Sequence, residues 1–272
     1  MALSVDRRLI YDLGLHEGHD TRYYLDKGFR VVALDANPRF CEMGRASFAN
    51  KDCVVVERAL YSEANSEVTF YVRDDSDGWS SVFQGVAERD GRSSTTVRVK
   101  TTTLSELFEA YGVPYYVKCD IEGADTIFAS QLVGDGRLPP FVSVEIDSLE
   151  VPEKLRAAGY DRFQIVNQAH LSLYRSPKPA REGRYVPITF HGKMSGPFGR
   201  ELPRRRWVTF EQAAAQFRTY EALPKLSWLR RKVLRRWGKL THRGWLIGQS
   251  WLDLHATTVA ELGRTADLPC HD

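Results

Sequence analysis

The chain has 272 residues, of which 43% are hydrophobic and 27% are charged, so it has the composition of a soluble globular protein with a sizeable core. It has no apolar leader before its first strand, no uncharged apolar run of about 18 residues and no Cys-x-x-Cys pair, so we expect a cytoplasmic protein without a signal peptide, membrane span or zinc site. The net charge is +3, but eight Lys or Arg residues and no acid fall within residues 225–243, which argues against a general nucleic-acid binder.

Residues 9–37 predict a βαβ unit. A strand at 9–13 leads into a turn containing Gly14 and Gly18, a helix follows at 20–27, and a second strand at 30–34 ends on Asp35. Such a unit holds an adenosine-containing cofactor at the carboxyl ends of its strands, where a carboxylate accepts hydrogen bonds from the ribose hydroxyls. We therefore assign the ribose to Asp35.

The spacing of the glycines indicates which cofactor fits this turn. A dinucleotide site has the pattern G-x-G-x-x-G, whereas this turn reads Asp12-x-Gly14-x-x-x-Gly18 and is flanked by Glu17 and Asp20. Carboxylates repel a pyrophosphate but suit the ammonium and sulfonium of S-adenosylmethionine, and Asp12 is placed near that cationic end. The alternative is a plain strand-turn-helix without a ligand.

The next elements predict more of the same pocket. Pro38 opens a helix at 39–49, a buried strand follows at 53–57, and the loop at 58–62 passes the cofactor's base. Two β strands, 68–72 and 96–100, bracket a polar loop. Its centre, residues 77–81, places the indole of Trp79 and the hydroxyls of Ser80 and Ser81 where they could close over a ligand. The alternative is an exposed hairpin tip.

Acidic residues then follow two buried strands. A helix at 103–111 begins with a capping box, the fourth strand at 115–119 is followed by Asp120 and Glu122, and the fifth strand at 141–146 carries Glu145 and is followed by Asp147. Because the carboxyl ends of parallel strands meet at one edge of a sheet, we expect these four acids to converge. Structural salt bridges are the alternative interpretation.

Several of these segments resemble FkbM-type methyltransferases in order and spacing over residues 9–170. The most specific is the run Lys-x-Asp-x-Glu-Gly at 118–123, which ordinary S-adenosylmethionine enzymes lack. Two departures are Asp35, where the family often has Glu, and the pair His16 and Glu17 in the glycine turn. The similar segments are YDLG at 11–14 with Gly18 and DT at 20–21, ALDANP at 33–38, RALYS at 58–62, VTFYV at 68–72, residues 101–107, 118–123 and 141–146.

This resemblance implies an α/β, Rossmann-like class I methyltransferase fold. We expect a seven-stranded, mostly parallel sheet with an antiparallel edge hairpin at 162–167 and 171–175, within a cofactor-binding core at 1–175. The resemblance also implies that S-adenosylmethionine is lined by Asp12, Gly14, Gly18, Thr21, Asp35, Asn37, Ala59, Leu60 and Asp120, and the neighbouring residues complete the predicted set: His16, Asp20, Ala36, Arg58 and Ser81.

Residues 176–272 predict a lid loop and a C-terminal helical extension that bind the acceptor. The stretch 176–206 is rich in Pro, Gly and Arg, and helices are expected at 210–220 and 226–240. The second helix is basic and amphipathic with tryptophans, so it could lie peripherally on the inner membrane face and present a lipid-linked glycan; a solvated basic face is the alternative.

The implied reaction is methyl transfer to a hydroxyl of a sugar, on a glycan, polysaccharide or glycosylated metabolite. A sugar hydroxyl is a weak nucleophile, so a base is needed, and the candidates in order are Glu145, His191, Asp147 and His255. A Mg²⁺ ion bridging Asp120, Glu122 and Asp147 to sugar oxygens is a further hypothesis. Two other functions stay open: a nucleotide-dependent oxidoreductase, and a non-catalytic membrane-associated binding module of the same fold.

Overall fold

The computed structural model describes residues 4–73, 77–222 and 251–264, and a seven-stranded sheet lies at its centre. A smaller three-stranded sheet lies beside it, formed by β4 (Ala59–Leu60), β5 (Glu67–Val72) and β6 (Thr95–Thr102). The strands of the large sheet are β1 (Val5–Leu13), β2 (Arg30–Asp35), β3 (Cys53–Glu57), β7 (Val113–Cys119), β8 (Phe141–Ile146), β9 (Arg162–Asn167) and β10 (Leu252–Thr257).

The order of strands in the large sheet is β3-β2-β1-β7-β8-β10-β9. The pairs β3-β2, β2-β1, β1-β7 and β7-β8 are parallel, whereas β10 runs antiparallel to both of its neighbours. The predicted α/β fold with a mostly parallel seven-stranded sheet is therefore confirmed. From β1 the sheet extends toward one edge through β2 and β3 and toward the other edge through β7 and β8, so the strand order switches between β1 and β7. A ligand crevice is therefore expected at the carboxyl ends of these two strands.

Helices cover both faces of the sheet. Leu104, Phe108, Phe128 and Leu155 contribute to a buried cluster on one face, whereas Tyr24 belongs to the cluster on the other. The helices are α1 (His19–Asp26), α2 (Pro38–Ser47), α3 (Gln84–Ala87), α4 (Leu104–Tyr111), α5 (Asp125–Asp135), α6 (Glu150–Ala158), α7 (Phe210–Ala222) and α8 (Val259–Gly263).

Local sequence signals explain where several helices begin. Asn37 accepts a hydrogen bond from the backbone N–H of Arg39 and Pro38 occupies the first position of α2, so this helix starts directly after β2. Thr103 caps α4 by accepting from the backbone N–H of Glu106. Because α2 begins so soon after β2, the connection between them is short and leaves Asp35 at the edge of the sheet.

The antiparallel partner of β9 differs from the prediction. Residues 171–175 do not form a strand, because Asn167 caps a 3₁₀ helix, Gln168–Leu173, that turns the chain away from the sheet. The partner is instead β10, which lies between β8 and β9 and pairs Asp253 with Glu145. The region predicted as a lid and extension thus supplies one strand of the central sheet.

The segment from 186 to 198 packs on the same sheet face as α1. Phe198 stacks on Tyr116 with 4.8 Å between ring centroids, and Phe190 is fully buried. Beyond it, Glu201 accepts hydrogen bonds from Tyr23 of α1 at 2.8 Å and from Lys27, which follows α1, at 2.6 Å. Because α1 runs from the carboxyl end of β1 to the start of β2, these buried contacts anchor the Gly- and Pro-rich stretch on the sheet face, toward the amino edge.

No helix within residues 4–73, 77–222 or 251–264 is long and apolar enough to cross a bilayer. The helix predicted at 226–240 and the basic segment at 225–243 lie outside the described residues.

Candidate functional site

A cavity of about 540 Å³ opens at the edge where β1, β2, β7 and β8 end. This volume lies within the range of small-molecule sites, and its position at the reversal of strand order is where α/β sheets bind ligands. Most of the residues predicted to bind the cofactor lie on its wall: Gly14, His16, Gly18, Asp20, Asp35, Ala36, Asn37, Arg58, Ala59, Leu60 and Asp120.

The turn after β1 is packed too tightly to carry a side chain at Gly14. This residue has φ +90°, and a Cβ placed on it would lie 1.9 Å from the carbonyl oxygen of Asp120. Its backbone N–H donates to the carbonyl oxygen of Leu34 at 2.8 Å. The turn is therefore held between the ends of β2 and β7, and glycine lets its backbone form the floor of the cavity.

Asp35 lies at the end of β2, buried but facing the cavity. Its carboxylate accepts one backbone N–H from His16 and one from Asn37, both at 2.8 Å. Burial raises the pKa of Asp35 to about 6, although these two N–H groups oppose the shift. Each carboxylate oxygen keeps a further lone pair, so Asp35 can also accept hydrogen bonds from a bound ribose.

One part of the cavity wall is apolar and ends in a tryptophan that stacks with an arginine. Phe40 and Phe70 line it together with the predicted Leu60, which suits the flat base of an adenosine. From the loop between β5 and β6, the indole of Trp79 lies on the wall, and the guanidinium of Arg89 stacks on it at 4.1 Å. The centre of this loop therefore contributes Trp79 and Ser80 to the cavity wall, as the sequence predicted, whereas Ser81 does not reach it.

Acidic residues outnumber basic ones on the wall. Lys118, Arg89 and Lys193 each pair with a carboxylate at 3.6 Å or less. The acids are Glu17, Asp20, Asp35, Asp120, Glu122, Glu145 and Asp253, against the bases Arg58, Arg89, Lys118 and Lys193. When these acids are ionised, such a lining favours a ligand with positive charge and disfavours a pyrophosphate.

Several of these carboxyl groups hold protons near neutral pH. Burial, together with repulsion from Asp120 and Glu122, raises the pKa of Glu145 to about 9. Burial and Asp120 similarly raise the pKa of Glu122 to about 8, and burial raises that of Asp20 to about 7. A cation entering the cavity would favour the ionised forms and displace these protons.

Three residues predicted to line the cofactor lie behind the wall instead. Asp12 is fully buried, 3.2 Å from the Nζ of Lys118, and accepts a hydrogen bond from the hydroxyl of Thr21 at 2.6 Å. Ser81 is also fully buried, and its hydroxyl donates to the carbonyl oxygen of Glu122 at 2.6 Å. Each is used to hold the wall, because an unpaired buried polar group would be costly.

Of the four candidate bases, only Glu145 lines the cavity. Asp147 follows β8 and is exposed to solvent, and His191 is exposed with its ring 4.9 Å from that of His19. His255 lies within β10 and is 1% exposed, and burial lowers its pKa to about 3. A histidine held neutral inside the sheet does not reach the cavity.

The structure brings together a different set of acids from the set predicted to bind Mg²⁺. The carboxylate oxygens of Asp120, Glu122 and Glu145 lie within 4.8 Å of one another, whereas Asp147 points to solvent outside this group. Burial, and then repulsion from Asp120, raises the pKa values of Glu122 and Glu145. Two of the three predicted ligands thus lie together with Glu145 in place of Asp147, and the Mg²⁺ bridge stays a prediction.

Residues 192–195 of the predicted lid reach the cavity wall. Both carboxylate oxygens of Asp20 accept the backbone N–H of Ser195, at 3.1 and 3.0 Å, and Lys193 pairs with Glu17 at 2.7 Å. The lid is thus fixed to the glycine turn at its open side. Its expected role in binding the acceptor stays a prediction.

Some residues of the cavity wall were not predicted from the sequence. Lys118 belongs to the most specific motif but was not assigned to the site, and its position before Asp120 was a usable signal. Gln168, Trp251 and Asp253 reach the cavity only because β10 is inserted between β8 and β9. No local pattern in the sequence predicts that pairing.

Comparison with protein families identifies a methyltransferase domain in the chain. The model described as "Methyltransferase FkbM domain" matches residues 12–153, which is more than half of the chain. No curated protein and no solved structure matches the chain. The matched range contains the glycine turn, Asp35, Asp120 and Glu145.

Proposed function

Because this chain belongs to the FkbM methyltransferase family, we propose that it transfers the methyl group of S-adenosylmethionine to a hydroxyl of a sugar. The observation that carries the cofactor assignment is the acid-rich cavity at the carboxyl ends of β1, β2, β7 and β8. The same lining argues against the nucleotide-dependent oxidoreductase, whose dinucleotide carries a pyrophosphate.

Different residues of the wall bind different parts of the cofactor. Asp35 accepts the ribose hydroxyls, Leu60 and Phe40 pack against the base, and Asp20 and Asp120 face the cationic methionyl end. When bound, S-adenosylmethionine supplies an activated methyl group on a sulfonium. The chain's own task is to hold the acceptor hydroxyl in line with that methyl group, since positioning supplies much of the rate.

Glu145 is the proposed base. It lies on the cavity wall, and its carboxylate would take the proton from the acceptor hydroxyl as the oxygen–carbon bond forms and the carbon–sulfur bond breaks. Its raised pKa keeps it protonated in the empty cavity at neutral pH. A nearby positive charge lowers that pKa, so cofactor binding prepares the base.

A direct assay tests the proposed reaction. The purified chain is incubated with S-adenosylmethionine and methyl glycosides of glucose, galactose, mannose and rhamnose, and S-adenosylhomocysteine and methylated sugar are measured by mass spectrometry. We expect equal amounts of the two products with at least one glycoside. Cofactor binding without product from any sugar would contradict the sugar acceptor and favour the non-catalytic binding module.

Replacing Asp35 by Ala should weaken cofactor binding at least about 100-fold, because two hydrogen bonds to a charged acceptor contribute about 1.5–3 kcal/mol each. Calorimetric titration measures this change. Glu57→Ala is the matched control, since Glu57 pairs beside Asp35 on β3 but forms only an exposed ion pair with Arg45. Unchanged affinity in a folded Asp35→Ala protein would remove the ribose assignment.

Cofactor binding should release protons and strengthen as pH rises from about 6 to 9. The carboxyl groups of Asp20, Glu122 and Glu145 have pKa values raised to about 7, 8 and 9, so they are partly protonated in this range and a bound cation lowers those values. Calorimetry at one pH in phosphate and in Tris measures the released protons. S-adenosylhomocysteine is the matched ligand because it lacks the sulfonium charge, and it should release fewer; proton uptake would contradict the assignment.

A lipid-linked acceptor and a peripheral membrane contact stay predictions that rest on the basic sequence at 225–243. Sedimentation with anionic and with neutral lipid vesicles tests them. Binding that requires anionic lipid and falls with added salt would support the membrane contact.

A further inference from the structure

The carboxyl edge of the sheet extends beyond the residues assigned to the cofactor. Strand β10 runs antiparallel between β8 and β9, so its first residues lie at the edge where those two strands end. This pairing places Asp253 opposite Glu145, brings Trp251 to the rim, and sets both beside Gln168, which follows β9. Trp251, Asp253 and Gln168 line the same cavity as Glu145.

Gln168 and Asp253 form a buried polar pair in which one hydrogen-bond acceptor has no partner among the described residues. Their exposed fractions are 6% and 7%, and the side-chain amide of Gln168 donates to a carboxylate oxygen of Asp253. The amide oxygen of Gln168 has no hydrogen-bond partner among the described residues. An unsatisfied buried acceptor is costly, so a rotation of the covered amide that brings this oxygen to a donor of a bound molecule would relieve it.

Trp251 provides a different surface next to this pair. Its exposed fraction is 51%, although a large aromatic side chain normally buries most of its area. One face of a pyranose ring carries C–H groups that pack on an aromatic plane, while its hydroxyls point outward to polar partners. An exposed indole beside a buried amide and carboxylate therefore offers both kinds of contact that a sugar needs.

We propose that Trp251, Gln168 and Asp253 form the acceptor subsite for a pyranose ring, which stacks on the indole while its hydroxyls bind the amide oxygen and the carboxylate. This inference rests on the proposed function, because it gives that function's acceptor a position. It also places the acceptor beside Glu145, the proposed base. Residues from two neighbouring strand ends, the start of β10 and the end of β9, would thus select the sugar.

Saturation-transfer NMR on the S-adenosylhomocysteine-loaded chain tests the subsite, with methyl glycosides of glucose, galactose, mannose and rhamnose as probes. We expect signals from the ring protons of at least one glycoside. Trp251→Ala should raise its dissociation constant at least about tenfold, Trp251→Phe should restore part of the affinity, and Gln168→Leu should also weaken binding. Tyr185→Ala is the matched control, since Tyr185 is 42% exposed and lies off the wall.

The outcomes separate this inference from the proposed function. Glycoside binding that is equal in the natural chain and in Trp251→Ala would overturn the subsite, as would the failure of every glycoside to bind a chain that binds S-adenosylhomocysteine. Weakened S-adenosylhomocysteine binding in Trp251→Ala and Gln168→Leu would assign these residues to the cofactor instead. Failure of the natural chain to bind either S-adenosylmethionine or S-adenosylhomocysteine would refute the proposed function itself.

Discussion

Replacing Glu145 by Gln is expected to lower kcat by about 100- to 10,000-fold, the usual contribution of a positioned general base. Glutamine keeps the size and shape of the protonated side chain but cannot accept the proton of the acceptor hydroxyl. Cofactor affinity should change little at pH 7 and below, where the raised pKa of Glu145 leaves it mostly uncharged in the empty cavity, but it should lose part of its increase toward pH 9. Initial rates at saturating S-adenosylmethionine and acceptor measure the effect.

Asp147→Asn is the matched control for this variant. Asp147 carries the same kind of side chain two positions later, but it is exposed and lies off the cavity wall. For the natural chain, kcat should rise with pH and level off once Glu145 is ionised, and Glu145→Gln should lose that rise. A loss of rate in Asp147→Asn with full rate in Glu145→Gln would contradict the assignment.

Replacing Lys118 by Met should lower the free energy of unfolding by about 3–5 kcal/mol, the usual cost of removing one partner of a buried ion pair. The Nζ of Lys118 lies 3.2 Å from Asp12 and 3.6 Å from Asp120, and it donates to the carbonyl oxygen of Gly14 at 2.7 Å. Burial opposes its charge, but these acids outweigh burial and raise its pKa well above the ordinary value. Denaturant unfolding measures the change.

Two controls identify the buried carboxylate of Asp12 as the cause. Lys154→Met removes an exposed pair with Glu150 and should cost less than about 1 kcal/mol. The double variant Asp12→Asn with Lys118→Met should recover part of the loss. In Lys118→Met alone, burial raises the pKa of Asp12 above its unfolded value, so the deficit should be larger at pH 8 than at pH 5. An equal loss in Lys154→Met would contradict this explanation.

The sequence predicted those parts of the site that depend on local order along the chain. A βαβ unit places Gly14 and Asp35 at one sheet edge whatever the rest of the fold does, and the strand before Asp120 brings it to the same edge. Glu145 was also the better-placed acid, because it lies within β8 whereas Asp147 follows the strand.

Contacts between distant segments could not be predicted in the same way. Asp12 faces Lys118 rather than the cofactor because β1 and β7 pair these two residues in register. His255 is buried and Asp253 reaches the cavity because β10 pairs with β8 and β9 across more than 80 residues of chain. Hydrophobic patterning indicates a strand but does not identify its neighbours, so the acceptor side of the cavity became visible only in the folded chain.

The most direct test of the whole account is a calorimetric titration of the purified chain with S-adenosylmethionine, with NAD titrated under the same conditions. The acid-rich cavity and the family predict micromolar binding of S-adenosylmethionine, and no measurable binding of NAD. Binding of NAD, or no binding of S-adenosylmethionine, would contradict the assignment of the glycine turn and Asp35 to this cofactor.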